Sequence, residues 1–389
     1  MKPIAFCTAI AFSLMALPLP AWANAVTVPL RRVEASEVSE FSTLLGLDDQ
    51  LWEANGDRAA LLAAIDHSLA YLQTAEAAAD YEQYPVSGIT RGRVRRSLER
   101  FRQLLVDCRS AAELRTAVLQ EFELYQSVGS DGQGTVDFTG YFEPVYPASR
   151  TPTAEYRYPL YRIPPDLEQW ARPHPSRRQL EGEDGLRGTQ GRLQGLELVW
   201  LRDRLEAYLV QVQGSARLQL TDGSMMSIGY AGRTDYPYVS IGRELVNDGK
   251  FGEEELTLPM VIEYFQANPA ALNTYLPRND RFVFFRETTG TPTTGSLSVP
   301  VTAERSIATD KTLMPPGALA LIHTQIPYPD ASGTLIPRLV SRYVLDQDTG
   351  GAIRGAGRVD IFMGTGELAG DRAGLINTPG ELYYLLLKE

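Results

Sequence analysis

The sequence predicts a mainly β protein that opens with helices and divides into two units. Three observations carry this prediction. Apolar residues recur at helical spacing through the first third, the texture breaks at a turn-rich stretch after Gly129, and short alternating runs fill most of the remaining chain. At 389 residues the chain is long enough for two domains of roughly 150 residues each.

The helices come first. Asp57 to Thr74 carries Leu61, Leu62, Ile65, Leu69 and Leu72 as one apolar stripe, and Arg91 to Leu105 carries Val94, Leu98, Phe101 and Leu105. A third helix opens at Ser110, where Glu113 three residues on completes a capping-box pattern, with Leu114, Val118, Phe122 and Tyr125 as its buried side. Ser130-Asp131-Gly132-Gln133-Gly134 then breaks the pattern. Beyond it, strands are predicted at Thr135–Tyr141, Ala207–Gln213, Ala216–Leu220, Phe282–Phe285, Ala318–His323, Leu339–Leu345 and Val359–Met363, as in a barrel or sandwich. Helices interrupt them near Gly242–Asn247 and Pro259–Ala267, and Pro147 to Gly195 reads as long loops. The Gly/Thr/Pro-rich stretch Thr288–Gly295 reads as a crossing between domains.

Export is read from the N-terminus. Lys2, the apolar run Ile4–Leu17, and Ala21-Trp22-Ala23 after two prolines make a secretory signal peptide over residues 1–23, with a periplasmic destination. The run is too short to span a bilayer. Cys7 lies inside it, away from any small-residue cleavage site, so no lipobox is read; Cys108 then stands alone, without a disulfide framework. The net charge of −11 argues against nucleic acid or an anionic membrane as the main partner. His67, His174 and His323 are scattered without metal-ligand spacing, and neither a metal nor a cofactor is expected.

Chemistry concentrates near the C-terminus, where Asp348, Asp360 and Asp371 each lie beside glycines. Asp360 alone interrupts a β-like apolar run. In a strand it shares a face with Arg358 and Phe362, while Val359, Ile361 and Met363 take the other. A carboxyl among apolar side chains holds its proton above the reference of about 3.9, as a general acid near neutral pH requires. The plainer alternative is a surface aspartate on an edge strand. Asp137 to Pro144 and Gln211 to Ala216 mix a tight glycine with amide, hydroxyl and aromatic groups, chemistry that suits sugars, or simply a strand that ends in a turn. Tyr230, Tyr236 and Tyr238 fit a saccharide groove or the cover of a sheet.

Thr139-Gly140-Tyr141, Val212-Gln213-Gly214-Ser215, Tyr230-Ala231-Gly232, Ser240-Ile241-Gly242, Asp348-x-Gly350-Gly351-Ala352-Ile353 and Asp360-Ile361-Phe362 occur in this order. Together they closely resemble the lytic murein transglycosylase A family, over roughly residues 135 to 375, the last part resembling its three-aspartate domain. The sequence departs at Ala216, where the family usually has Gly, and at Thr234-Asp235, usually Asn-Gly. The resemblance implies a double-psi β-barrel domain from residues 24–135 and 286–389, a smaller β-barrel inserted as residues 136–285, and a glycan groove between them. It implies cleavage of the bond between N-acetylmuramic acid and N-acetylglucosamine. Asp360 would first protonate the linking oxygen, then take the proton of the muramoyl C6 hydroxyl as a 1,6-anhydro ring closes. Thr139, Gly140, Tyr141, Gln213, Gly214, Ser215 and Tyr238 would hold the sugars, and Asp348 and Asp371 would line the groove or brace its turns. The expected partners are murein glycan strands and other wall-remodelling proteins, and the chain is expected to act as a monomer.

Two rival readings remain. Asp348-Thr349-Gly350 is also an aspartic-protease signature, but the required second copy is missing from the sequence. A non-catalytic glycan-binding or wall-loosening barrel is the other, and the acid set in an apolar strand argues against it.

Overall fold

The structure, a computed structural model, describes residues 28–38, 44–252 and 256–389. The signal-peptide reading on residues 1–23 lies outside the described residues. The chain starts with β1 (Leu30–Arg32), α1 (Ala35–Val38), α2 (Arg58–Tyr71), α3 (Ala75–Glu82), α4 (Arg91–Asp107) and α5 (Ala111–Glu121). Then come β2 (Phe122–Ser127), β3 (Val136–Glu143), β4 (Val145–Ser149), β5 (Tyr158–Tyr161), α6 (Arg177–Glu181), β6 (Glu197–Leu201) and α7 (Arg204–Gln213). The middle continues with β7 (Ser215–Leu220), β8 (Met225–Arg233), α8 (Ile241–Asn247), α9 (Leu258–Ala267), α10 (Leu272–Tyr275) and β9 (Val283–Glu287). The last part holds β10 (Ser306–Ala308), β11 (Leu319–Pro329), β12 (Leu335–Asp348), β13 (Arg358–Thr365), α11 (Glu367–Gly374) and β14 (Asn377–Leu387).

Two sheets organise these elements. The larger runs β1-β2-β14-β11-β12-β10-β13-β3, and β14 pairs with β3 as well, so the six strands from β14 round to β3 close on themselves. Closure removes the sheet edge that an open arrangement would leave unpaired. Two of its pairings are parallel, β3 with β13 and β10 with β12. This six-stranded ring is the double-psi barrel that the resemblance implies. The smaller sheet runs β5-β6-β4-β7-β8-β9, and a bridge from Arg162 to Phe285 brings its last strand back towards its first. Its strands fall between β3 and β10 in sequence, so the second barrel is an insertion in the first.

At the crossings, β3 pairs in the larger sheet as far as Glu143, and β9 of the smaller sheet continues to Glu287. The alternation in β3 reads the same whichever sheet receives it. Ala207–Gln213, predicted as a strand, lies in α7. This helix is buried on two sides, with Ala207 and Val210 against the smaller barrel and Leu205, Tyr208 and Leu209 against α8 to α10. A helix covered on both sides loses the one-sided stripe that marks its period. Asp203 caps it by accepting from the backbone N–H groups of Leu205 and Glu206. Phe122 and Tyr125 are not on α5, which stops at Glu121; they belong to β2. At Ser110 half of the capping box forms, since Glu113 reaches the N–H of Arg109 instead.

The N-terminal helices cover the larger barrel. Leu61, Ile65, Val94, Leu98 and Phe101 join one core with Leu321, Tyr343, Val359, Ile361 and Leu385. An ion cluster ties the segment before α2 into this core. Asp48, wholly buried, accepts from Arg305 Nη1 at 2.5 Å, Arg342 Nη1 at 3.2 Å and the Tyr343 backbone N–H at 3.0 Å. Arg305, also wholly buried, spans Asp48 and Asp57. Removing one partner of such a pair strands the other charge in a dry interior. Asp48→Ala is expected to cost about 3–5 kcal/mol in urea unfolding. Asp57→Ala, at a site 18% exposed, should cost clearly less.

Candidate active site

Strand pairing assembles the site. In the parallel register of β3 with β13, Thr139 lies opposite Asp360 and Tyr141 opposite Phe362. On its other side β13 meets β10, where Ala308 pairs with Asp360, and Ala308 pairs again with Asp348 of β12. The two aspartates therefore stand level, one strand either side of Ala308. Asp360 is on an interior strand, which sets aside the edge-strand alternative. Val359, Ile361 and Met363 enter the barrel core, as the alternation predicts, and leave Arg358 and Asp360 half-buried on the other face.

The Thr139 hydroxyl donates to Asp360 Oδ1, and Arg358 Nη2 donates to the same hydroxyl oxygen at 3.2 Å. Burial pushes the Asp360 carboxyl above the usual carboxylate range. The Thr139 hydrogen bond and the Arg358 charge pull it back, while the charge of Asp348 pushes it further up. Asp348 accepts three hydrogen bonds at 2.8 Å, from the Tyr141 hydroxyl and from the backbone N–H groups of Ser296 and Thr349. Its carboxyl is likewise raised by burial, against the pull of these donors and of Lys311. Burial and the adjoining Asp348 hold the Tyr141 phenol far above its ordinary value, so it stays a donor. Its ring packs on Phe362 at 5.2 Å between centroids.

The other sequence-predicted residues divide. Gly140 is needed because a Cβ there would lie 2.7 Å from Ala373 Cα, so its absence lets α11 rest on β3. Gln213, at the end of α7, accepts from the Phe142 N–H at 3.0 Å and so ties the inserted barrel to β3. Gly214 caps α7 at φ +81°, and Ser215 opens β7 opposite Gly229. Tyr238 bonds with Tyr208 and Ser240 and lies within the field of Asp360. Asp371 is exposed on α11.

Sequence reasoning passed over Glu143, Lys311 and the role of Arg358. Glu143, 2% exposed, accepts from Thr293 Oγ1 at 2.5 Å, Thr365 Oγ1 at 2.7 Å and Arg217 at 2.8 Å. It joins both barrels and the returning crossing. A glutamate before a proline gives no local hint of that. Arg358, two residues before Asp360, was legible as a face neighbour, but its bond to Thr139 needs the register of β3.

Two family models match, the MltA specific insert domain over residues 137–286 and the 3D domain over residues 305–386. The membrane-bound lytic murein transglycosylase A of Escherichia coli K12 is 31% identical over 266 residues, covering 68% of this chain and 69% of that protein. The chain belongs to the lytic murein transglycosylase A family. The crystal structure of a membrane-bound lytic murein transglycosylase from Agrobacterium tumefaciens is similar at TM-score 0.66 and 27% identity, over 85% of this chain and 93% of that one. Escherichia coli MltA with bound chitohexaose shares the fold at TM-score 0.69 and 24% identity, over 93% and 95% of the two chains. Family membership leaves the aspartic-protease reading of Asp348-Thr349-Gly350 without support.

The opposing influences on Asp360 are separable. Thr139→Val removes a donor to the charged form and should raise the Asp360 pKa, whereas Asp348→Asn removes a like charge and should lower it. Titration of the Asp360 carboxyl by carbon NMR on aspartate-labelled protein reads both, and shifts in the same direction would refute this account.

Proposed function

We propose that Asp360 is the single acid and base of a peptidoglycan lytic transglycosylase. The class of reaction follows the family; the assignment of roles is ours. Asp360, carrying its proton, gives it to the oxygen that links C1 of N-acetylmuramic acid to N-acetylglucosamine. That C1–O bond breaks, and an oxocarbenium-like centre develops at C1. The Asp360 carboxylate then takes the proton of the C6 hydroxyl on the same sugar, and O6 bonds to C1. The acid is regenerated, a 1,6-anhydro end is formed, and water is not consumed.

One observation carries this reading: a carboxyl raised by burial, on an interior barrel strand, with a hydroxyl held against it by strand register. A tethered nucleophile needs no second carboxylate to activate it. Such intramolecular attack is worth about 7 kcal/mol or more in well-oriented cases. Arg358, bonded to Thr139, would favour the carboxylate once the proton has left. Asp348, held by three donors, would hold Tyr141 in place and, by its charge, help Asp360 keep its proton before cleavage. Thr139, Gly140, Tyr141, Gln213, Gly214, Ser215 and Tyr238 would form the walls that hold the sugars, with Asp371 at the outer margin.

Export accompanies this function. The apolar run after Lys2 and the Ala21-Trp22-Ala23 triplet support delivery to the periplasm, where murein lies. The relatives are named membrane-bound, and no helix among the described residues is long and apolar enough to cross a membrane.

Asp360→Asn keeps the shape and removes the proton, so release of 1,6-anhydro muropeptides from sacculi should fall by about 100-fold or more. Sedimentation with murein should persist. Mass spectrometry of the digest reads the product, and full activity of the variant or reducing ends from the wild type would refute the mechanism.

A further inference from the structure

Arg281 precedes β9 in the inserted barrel and is 7% exposed. Its guanidinium crosses to the larger barrel, where it fills the space beside Gly351: a Cβ on that glycine would overlap Arg281 Nη1. It lies over the Tyr238 ring at 6.0 Å and donates through Nε to the carbonyl of Tyr236 at 2.9 Å. Arg233, at the end of β8, donates to the same carbonyl at 3.4 Å and bonds with Tyr230. Arg354, in the turn after Gly351, adds a third positive charge whose only ion pair among the described residues is Asp310 at 4.0 Å.

The cluster is uncompensated. Among the described residues neither Arg281 nor Arg233 pairs with a carboxylate, and two guanidinium groups share one neutral acceptor. Burial together with the charges of Arg233 and Arg354 pushes Arg281 down to about 10, still charged at neutral pH. Like cations gathered out of water are costly unless an anion joins them. The chain as a whole carries −11, so this gathering of cations runs against its overall charge. The cluster is linked to Asp360 through Tyr238, which lies under Arg281 and within the field of Asp360.

We infer that Arg281 and Arg233, with Arg354 at the rim, form a subsite for a carboxylate carried by the muramoyl residue of the glycan. This rests on the murein-cleaving reading and deepens it. The carboxylate has two sources, the lactyl group of a sugar stripped of peptide and the peptide stem itself. Either would take the fork of a guanidinium in two parallel hydrogen bonds. Uncharged chitin oligosaccharides lack the group altogether.

Calorimetric titration in the Asp360→Asn background, which prevents turnover, compares three ligands of equal length. They are chitohexaose, a peptide-free muramoyl glycan and the same glycan with stems. Arg281→Gln should weaken the carboxylated ligands by about 10-fold or more relative to chitohexaose, the range of a lost charged hydrogen bond. Loss on the peptide-free glycan identifies the lactyl group, and loss only on the stem-bearing glycan identifies the peptide. Because the readout is a ratio between ligands, a general loss of folding cancels. Arg233→Gln should move the ratio the same way, and Arg281→Lys should restore part of it. An unchanged ratio in both glutamine variants overturns the subsite. Anhydro ends released by the Asp360-intact protein are scored separately, so failure of the murein reading is distinguishable from failure of this one.

Discussion

The parallel pairing of β3 with β13 is the constraint on which the site depends. Without it Asp360 has no Thr139 opposite, Phe362 has no Tyr141, and Arg358 has no hydroxyl to reach. A parallel pair cannot be joined by a tight turn, and here the connection is the entire inserted barrel followed by β10, β11 and β12. The register must therefore be held by neighbours. β10 fixes β13 from one side, and β14 fixes β3 from the other. A one-residue slip would exchange the faces of β13, driving Asp360 into the core and Ile361 out of it, so the apolar core itself enforces the geometry of the acid.

Several of the interactions that hold the second barrel against this frame gather at the crossings. Glu143 binds a residue from the returning crossing, one from the end of β13 and one from β7, while Gln213 accepts from the strand that carries Thr139 and Tyr141. On the proposed function, a glycan lying between the barrels meets walls whose spacing is set by the same strand that pairs with Asp360. The ion cluster around Asp48 does comparable work where it locks the segment before α2 to β12.

Much of this was legible in the residues, and the failures have physical causes. Alternation around Asp360 gave the strand and its two faces correctly, because an interior barrel strand with one dry side has to alternate. The stripes of α2 and α4 were equally plain. α7 reads as a strand because burial on two sides erases its period, and Phe122 and Tyr125 read as part of α5 because the chain passes from helix to strand without a turn residue. Of the site, the sequence displayed the motifs but not which of them touch. Asp371 looks equivalent to its two companions in sequence, yet it is exposed on a helix. Arg281 carries no motif, and its meaning arises only where Gly351 of the other barrel leaves room for it.

On the proposed mechanism, Asp348 and Asp360 let one carboxyl suffice where glycoside cleavage generally employs two. Two carboxyls that feel each other resist being ionised together, so the environment decides which keeps the proton. Asp348 accepts from two fixed backbone N–H groups and a phenol, and its oxygens are already committed. Asp360 accepts from one hydroxyl, whose oxygen also takes a hydrogen bond from Arg358. Donors to a carboxylate favour its charged form, so on the proposed mechanism Asp348 carries the charge and Asp360, the carboxyl with an oxygen to spare, keeps the proton. On the proposed mechanism the same asymmetry serves the second half-reaction. Once Asp360 has given up its proton, repulsion from Asp348 makes the Asp360 carboxylate a stronger base towards the C6 hydroxyl. On that mechanism a pair that elsewhere divides acid and base between two groups lets one group perform both in turn.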